Sequence, residues 1–188
     1  MNDFDKRKVE DGVRLLLEGI GADTQTEGLK DTPSRMVRAW EEMTSGYRQN
    51  PATLFEVEFS EENYDQMIML SDVPFSSTCE HHLLPFTGVA HVGYIPSNGN
   101  VCGLSKLARL IDIYARRLQL QERMTQQVLT AMVKHLKPKG AGIIVQAAHQ
   151  CMACRGVQKP GAKMTTCALD GVIKHDPLSR TEFMRHMQ

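Results

Sequence analysis

The residues that could do chemistry lie in two short clusters, far apart in the chain. Cys79-Glu80-His81-His82 places a thiol and an imidazole three residues apart, and His149-Gln150-Cys151-Met152-Ala153-Cys154 offers the same groups again. Thiolate sulfur and imidazole nitrogen are both good ligands of Zn²⁺, and this spacing lets two of them close on one ion across a tight turn. The two clusters together therefore predict a metal site.

Two kinds of metal site are compatible with these spacings. If Cys154 is a ligand, the clusters supply four protein ligands, which is typical of a structural zinc site. Three protein ligands would leave one position for water, as in a catalytic site. The long separation of the clusters favours the second kind, because small structural sites usually gather their ligands within a short segment. His81 and His149 beside the cluster would then suit proton transfer near neutral pH.

Two further patterns could bind an anion and a purine. Gly103-Leu104-Ser105-Lys106 opens a predicted helix with Arg109 one turn on, so a hydroxyl and two cations lie at a helix N-terminus that could bind phosphate. Gln121-Glu122 begins another helix, and its carboxylate could match the N1/N2 edge of guanine. On the sequence alone, a helix cap with solvated basic residues is the more common explanation of the first pattern, and an exposed polar helix start is the more common explanation of the second. Arg35 and Arg155 could add charge only if folding or assembly brings them in.

The periodicity of apolar residues predicts the elements that must position these groups. In chain order they are helices over about 9–20 and 32–45, strands over about 67–73 and 86–95, helices over about 104–118 and 124–136, strands over about 142–148 and 164–172, and a short helix from about 177. Asp31 or Thr32 is expected to cap the second helix, with Pro33 in its first turn. This order predicts an α+β domain, with an antiparallel four-stranded sheet backed by helices on one face and an N-terminal helical extension.

Composition excludes several classes of protein. The 22 basic residues balance 22 acidic ones, so no overall charge favours nucleic acid or a membrane surface. The charged N-terminal start predicts no secretory signal, and no apolar segment approaches the roughly 20 residues of a membrane span. Five cysteines, an odd number, are expected to be reduced thiols or metal ligands, which makes the cytoplasm the expected compartment.

Taken together, these motifs closely resemble the GTP cyclohydrolase I family. The matching segments are Ser77–His82, Gly103–Lys106, Gln119–Thr125, His149–Cys151 with Arg155–Val157, and Asp31–Arg35. The resemblance runs from about residue 8 to the C-terminus. It implies a zinc-dependent hydrolase that opens GTP at C8, releases formate and, after ribose rearrangement, closes the ring of 7,8-dihydroneopterin triphosphate, the first step of folate and pterin biosynthesis.

The resemblance also implies a role for each matched residue. The implied zinc ligands are Cys79, His82 and Cys151, with water in the fourth position. The implied proton-transfer residues are His81, His149 and Ser105. Glu122, with Gln121 beside it, would read the guanine edge. The residues expected to hold the triphosphate and ribose are Ser105, Lys106, Arg109 and Arg155, and Arg35 would reach the triphosphate of a neighbouring subunit.

The family further implies a fold and an assembly. The fold is the tunnelling fold, expected over residues 66–188 after an N-terminal helical region over residues 1–65. In it, an antiparallel sheet backed by two antiparallel helices is closed into a barrel by five subunits. Two such rings form a decamer, with active sites at the subunit interfaces, so GTP and further copies of this chain are the expected partners.

Cys154 departs from the family pattern, since that position is not a ligand in the family. Here it could close the zinc site or form a disulfide with Cys151. Cys102 and Cys167 are expected to be small core residues. Pterin synthases with three histidine ligands and nitrile reductases with a cysteine nucleophile are the enzyme alternatives in this fold, and the Cys-His-Cys set argues against both. A zinc-stabilised binding module is the non-enzyme alternative.

Overall fold

The computed structural model describes residues 4–55, 64–97 and 101–185. The predicted turn at 96–100 and the N-terminal region over 1–65 thus lie partly outside the described residues. The helices are α1 (Lys6–Gly19), α2 (Thr32–Met43), α3 (Leu104–Ala115), α4 (Gln121–Leu136), α5 (Gln150–Ala153), α6 (Gly171–His175) and α7 (Pro177–Arg185). The strands are β1 (Ile68–Cys79), β2 (Pro85–Ile95), β3 (Leu118–Gln119), β4 (Gly140–His149) and β5 (Met164–Asp170).

The sheet has five strands in the order β3-β1-β2-β4-β5. The α+β class is confirmed, and β1, β2, β4 and β5 pair antiparallel as expected. The expected four-stranded, wholly antiparallel sheet needs correction, because the two-residue β3 pairs parallel with the end of β1. β1 also extends six residues past its predicted end at Val73, since Ser76, Ser77 and Thr78 continue its ladder with β2.

Helices α3 and α4 pack on one face of the sheet. α3 contacts β1, and α4 contacts β4 and β5. The strand residues buried beneath them alternate along β2 and β4: Phe86, Ala90, Val92, Tyr94, Ala141, Ile143, Val145 and Ala147. The two helices run in opposite directions. α3 begins near the end of β2, where the Cys102 N–H donates to Tyr94 Oη at 2.9 Å, and α4 begins at the opposite end of the sheet, beside His149.

The C-terminal helix α7 covers part of the other face of the sheet. Phe183 is fully buried there and packs with Ile144. Gly93 and Gly142 are paired across β2 and β4, and a Cβ at Gly142 would come within 2.7 Å of Phe183 Cζ. The paired glycines therefore form the slot that admits the Phe183 ring. Sequence periodicity predicted α7 but not this second packed face.

The N-terminal helices join the domain through a close backbone contact. α1 packs on α2, and the Gly46 N–H just after α2 donates to Arg116 O at 3.0 Å. A Cβ at Gly46 would meet Ile113 O at 2.0 Å, so this approach requires glycine. Asp31 occupies the N-cap position of α2 but its side chain makes no capping bond, so that expectation is wrong, whereas Pro33 lies in the first turn as expected.

Two sequence expectations about exposure have different outcomes. Cys102 is buried, as predicted for a small core residue. Cys167 is exposed, which corrects the prediction for that residue, because it pairs with Ile144 on the sheet face opposite α3 and α4. Within the described residues, no helix is long and apolar enough to cross a bilayer.

Replacing Phe183 by Ala should destabilise the fold strongly. Truncating a fully buried phenylalanine leaves a cavity and typically costs about 3–5 kcal/mol in the free energy of unfolding. Leu178→Ala on the same helix is the matched control, because Leu178 is 80% exposed. Denaturant unfolding of both variants checks this, and equal stability of the two would show that α7 does not contribute to the core.

Candidate metal centre and active site

Three side chains that could bind a metal converge at one end of the sheet. They are Cys79 at the end of β1, His82 in the turn that follows, and Cys151 in α5. Their ligand atoms all lie within 4.8 Å of one another, and Cys79 Sγ is 3.8 Å from His82 Nδ1. This trio is the set that the resemblance implied as zinc ligands.

Local backbone geometry places the first two ligands. The Leu83 N–H donates to Cys79 O at 2.9 Å, and the Cys79 N–H donates to Leu84 O at 2.8 Å, which closes a tight turn. Leu83 takes a positive φ of 56°, a conformation uncommon for a residue with a side chain. The turn folds His82 back towards Cys79.

Strand pairing places the third ligand. Phe86 at the start of β2 lies opposite His149 at the end of β4, so α5, which follows His149, begins beside the turn. Cys151 is thereby brought to Cys79 although 72 residues separate them in sequence. The long separation of the two clusters is bridged by the register between β2 and β4.

The donor set fits zinc. Around a tetrahedral Zn²⁺ with its usual bond lengths, ligand atoms lie roughly 3.5–3.8 Å apart. The observed 3.8 Å separation matches, and the 4.8 Å limit on the other pairs requires only a small closing movement. Burial, and then the neighbouring Cys79 sulfur, raise the pKa of the Cys151 thiol. A bound divalent cation would act in the opposite direction, because it favours the thiolate.

Cys154 lies outside this group. It is exposed, at the end of α5, and is not among the ligand atoms that lie within 4.8 Å of one another. In the described part of the chain the cluster thus offers three protein ligands. This arrangement favours the open, catalytic kind of site over the closed, four-ligand kind.

His149 is held in one orientation by a buried amide. Its Nε2 lies 2.8 Å from Gln121 Oε1, and its ring stacks on Phe86 with centroids 4.6 Å apart. Gln121 Nε2 donates to Val145 O at 3.0 Å and to Met164 O at 3.1 Å. Because carbonyl oxygens can only accept, the amide orientation is determined, and His149 Nε2 must carry the hydrogen.

Nδ1 is therefore the nitrogen of His149 that is left to exchange a proton. Burial lowers the pKa of His149, and the Glu122 carboxylate partly opposes that shift. The neutral imidazole is thus favoured until a negative charge or a substrate approaches. Proton transfer at one defined atom is what a general acid or base requires.

Gln121 and Glu122 have different surroundings. Gln121 is 1% exposed and its amide is bonded to protein groups, whereas Glu122 is exposed on the first turn of α4. The arrangement does not leave the Gln121 side chain open to a guanine edge, while the Glu122 carboxylate is accessible. Sequence analysis missed the contact between Gln121 and His149, because they lie 28 positions apart and no local pattern signals the contact.

The basic residues are distributed over the chain. Arg155 lies at the metal cluster, with Nη1 3.0 Å from His82 Nε2. Arg35 lies on α2, 3.8 Å from Asp31. His81 is exposed, with its ring centroid 6.2 Å from that of His82. Arg155 and His81 therefore both lie beside His82, whereas the ion pair of Arg35 lies at the start of α2.

Ser105, Lys106 and Arg109 are not brought to the metal cluster within one chain. They lie at the start of α3, near Tyr94, whereas the cluster lies near Phe86. Eight residues of β2 separate these two points, which corresponds to about 26 Å at the usual rise of a strand. The anion pattern and the metal cluster therefore lie at opposite ends of one subunit.

A cavity of about 230 Å³ opens beside the metal cluster. Its lining residues are His149, Cys151, Met152, Ala162, Lys163 and Met164. Lys163 is a cation that no sequence motif singled out. A second depression of about 360 Å³ lies between α2, β1 and α3, and none of the predicted site residues lines it.

Comparison with known proteins gives a consistent result. The family model for GTP cyclohydrolase I matches residues 9–188. Curated proteins named GTP cyclohydrolase 1 are similar over nearly their whole length: one from Listeria monocytogenes is 47% identical over 98% of this chain and 97% of its own. One from Acetivibrio thermocellus is 49% identical over 96% of both chains, and one from Carboxydothermus hydrogenoformans is 48% identical over 96% of this chain and 93% of its own.

Replacing Cys154 by Ser should leave the bound zinc unchanged, because its thiol lies outside the three-ligand cluster. Cys151→Ser makes the same chemical change at a candidate ligand position and should lose the metal. Metal analysis of the purified variants after dialysis against a weak chelator distinguishes the two. Loss of zinc from the Cys154 variant would indicate a closed four-ligand site instead.

Proposed function

The chain belongs to the GTP cyclohydrolase I family, and we propose that Cys79, His82 and Cys151 hold the zinc ion this enzyme uses on GTP. The observation that carries the proposal is the convergence of two thiols and one imidazole within 4.8 Å, next to an oriented His149. The enzyme's substrate is GTP. The individual chemical steps below are proposed from the positions of these residues.

The reaction requires water to add to C8, a poor electrophilic centre in a stable aromatic ring. Bound at the cluster, zinc would supply Lewis acidity and lower the pKa of a coordinated water to about 7. Opening of the five-membered ring leaves C8 as a formamide, and hydrolysis of that formamide by a second water releases formate and the free amine. Rearrangement of the ribose and closure onto the exposed amine gives 7,8-dihydroneopterin triphosphate.

We assign His149 to the proton transfer that accompanies ring opening. Its Nε2–H is committed to Gln121 Oε1, so the proton moves at Nδ1. The carbonyl oxygen of Gln121 would also stabilise the imidazolium form, because its dipole faces the protonated ring. Stacking on Phe86 limits rotation of the ring and so keeps Nδ1 in one direction.

Glu122 is proposed to bind the N1/N2 edge of guanine, since its carboxylate is exposed one residue from Gln121. For Gln121 itself we propose a positioning role through His149 rather than a direct contact with guanine. Arg155, at the cluster, would bind a triphosphate oxygen. His81 and Ser105 are proposed for the proton steps on ribose, in line with the family pattern.

A complete active site would need more than one subunit. The start of α3, with Ser105, Lys106 and Arg109, lies about 26 Å along the sheet from the metal cluster. That distance supports an interface at which one subunit supplies the metal cluster and another supplies these groups. Arg35 would reach the triphosphate from a neighbouring subunit, and two pentameric rings of the tunnelling fold would form the decamer.

The proposed setting is the cytoplasm. Cys79 and Cys151 must be reduced to bind a metal, and a reducing compartment keeps them so.

Replacing His149 by Ala should slow formate release by about 10²–10⁴-fold, the range for loss of a general acid or base. His175→Ala is the matched control, because His175 is exposed on α6 and makes no part of the site. Both variants are assayed with zinc loaded and with formate and pteridine followed together. Formate release at the wild-type rate by the His149 variant would refute its assignment.

Mixing two inactive variants should restore activity if sites are shared between subunits. Cys79→Ser removes a metal ligand, and Lys106→Ala removes a cation from the start of α3. After the two are unfolded and refolded together, random assembly would leave about one quarter of the sites with both halves intact. Turnover of the mixture is measured against each variant refolded alone, and no recovery would argue for sites built within one subunit.

A further inference from the structure

An ion pair connects the metal-binding turn to the first turn of α4. Arg123 Nη1 lies 2.5 Å from Glu80 Oε2, and Arg123 Nη2 lies 2.6 Å from Glu80 Oε1. Both terminal nitrogens of the guanidinium therefore donate to the carboxylate. Two parallel N–H···O bonds determine orientation as well as distance, which a single contact does not.

The Glu80 end of this pair belongs to the segment that carries two metal ligands. Glu80 follows Cys79 directly and precedes His82 by two residues. Its own N–H donates to Gln119 O at 3.0 Å, which holds it on the short β1–β3 ladder. Movement of the Glu80 side chain would therefore move the turn that presents the ligands.

Arg123 belongs to the segment that carries the residues proposed to bind guanine and to orient His149. Gln121, which orients His149, and Glu122, which we propose binds guanine, precede Arg123 on the first turn of α4. Helical backbone joins these residues rigidly. The ion pair thus adds a side-chain link between the two groups of residues, across 43 positions of sequence.

We propose that Glu80 and Arg123 are a positioning pair that sets the metal-binding turn at the correct distance from Glu122 and His149. The inference rests on the proposed roles of those residues. GTP held by its guanine edge places C8 at a fixed offset from Glu122, so the metal must lie at a matching offset. A misplacement of about 1 Å at a reacting centre can cost roughly 10²-fold in rate.

The exposure of the pair argues against a mainly stabilising role. The side chains of Glu80 and Arg123 are 28% and 41% exposed. Most ion pairs open to solvent contribute little to folding stability, and bidentate pairs lie at the upper end of that small range. A direct role of Arg123 in holding triphosphate is also less consistent with the geometry, because Glu80 already neutralises its charge and occupies both forks.

Three variants test the pair. Glu80→Gln keeps the size of the side chain and removes its charge. Arg123→Lys keeps the positive charge but lacks the two parallel donors of the guanidinium, and Arg123→Met removes both the charge and the donors. Each should lower kcat by about 10–100-fold while leaving the KM for GTP within about twofold, because the substrate still binds but C8 is misplaced. The thermal unfolding midpoint should stay near that of the wild type, and the zinc content should stay at one ion per chain.

A double variant and a control pair sharpen the test. Glu80→Gln combined with Arg123→Met should be no slower than the worse single variant, since both remove one shared interaction. Glu10 and Arg14 on α1 form an exposed ion pair through one contact of 2.6 Å, and the pair is remote from the site in sequence. Glu10→Gln should therefore leave kcat and KM unchanged.

A spectroscopic readout separates this inference from the proposed function. In cobalt-loaded protein, the visible absorption of the metal reports its surroundings, and GTP should perturb it in the wild type. In the Glu80→Gln and Arg123→Lys variants GTP should bind with unchanged affinity by calorimetry but perturb the cobalt spectrum much less. This comparison does not depend on turnover, so it remains informative if the proton-transfer role assigned to His149 proves wrong.

Several results would overturn the inference. A raised KM at unchanged kcat in the Arg123 variants alone would indicate a direct contact with GTP. A lower unfolding midpoint with wild-type kcat would indicate a structural role. Wild-type kinetics and a wild-type cobalt response in every variant would show that the pair positions nothing.

Discussion

The buried amide of Gln121 is the interaction on which the site depends. An amide removed from water is costly unless each of its groups is bonded. Here Nε2 donates to main-chain oxygens of Val145 and Met164, and Oε1 accepts from His149. The start of α4, two strands and the imidazole are therefore linked by one satisfied polar group. The orientation of the His149 ring follows from the packing of the core.

The antiparallel topology of the sheet determines which candidate site residues come together within one chain. Pairing of Phe86 with His149 brings the end of β4 to the end of β1, so the candidate metal ligands meet. The same topology makes α3 and α4 run in opposite directions, which puts the start of α3 at the far end of the sheet. A fold that gathers the candidate metal ligands so compactly thus separates them from the cationic helix start, which is the reason we propose a site shared between chains.

Much of the fold could be predicted from periodicity, and the exceptions have identifiable causes. β1 was predicted too short because Ser76, Ser77 and Thr78 show no alternation of apolar residues, although the β2 ladder continues through them. The two-residue β3 is too short to have any sequence signature. Cys167 was expected inside, but its face of β5 is set by pairing with β4, which periodicity in a short polar strand does not reveal.

The sequence by itself determined the kinds of chemistry available. Cys79 and His82 lie on one tight turn, so their proximity depends on the local sequence and not on distant parts of the chain. Tertiary structure alone decided that Cys151 joins them, that Cys154 stays outside, and that Gln121 turns inward to His149. It also joined Glu80 to Arg123. Such contacts depend on strand register and helix packing, which result from the whole core and not from any local segment.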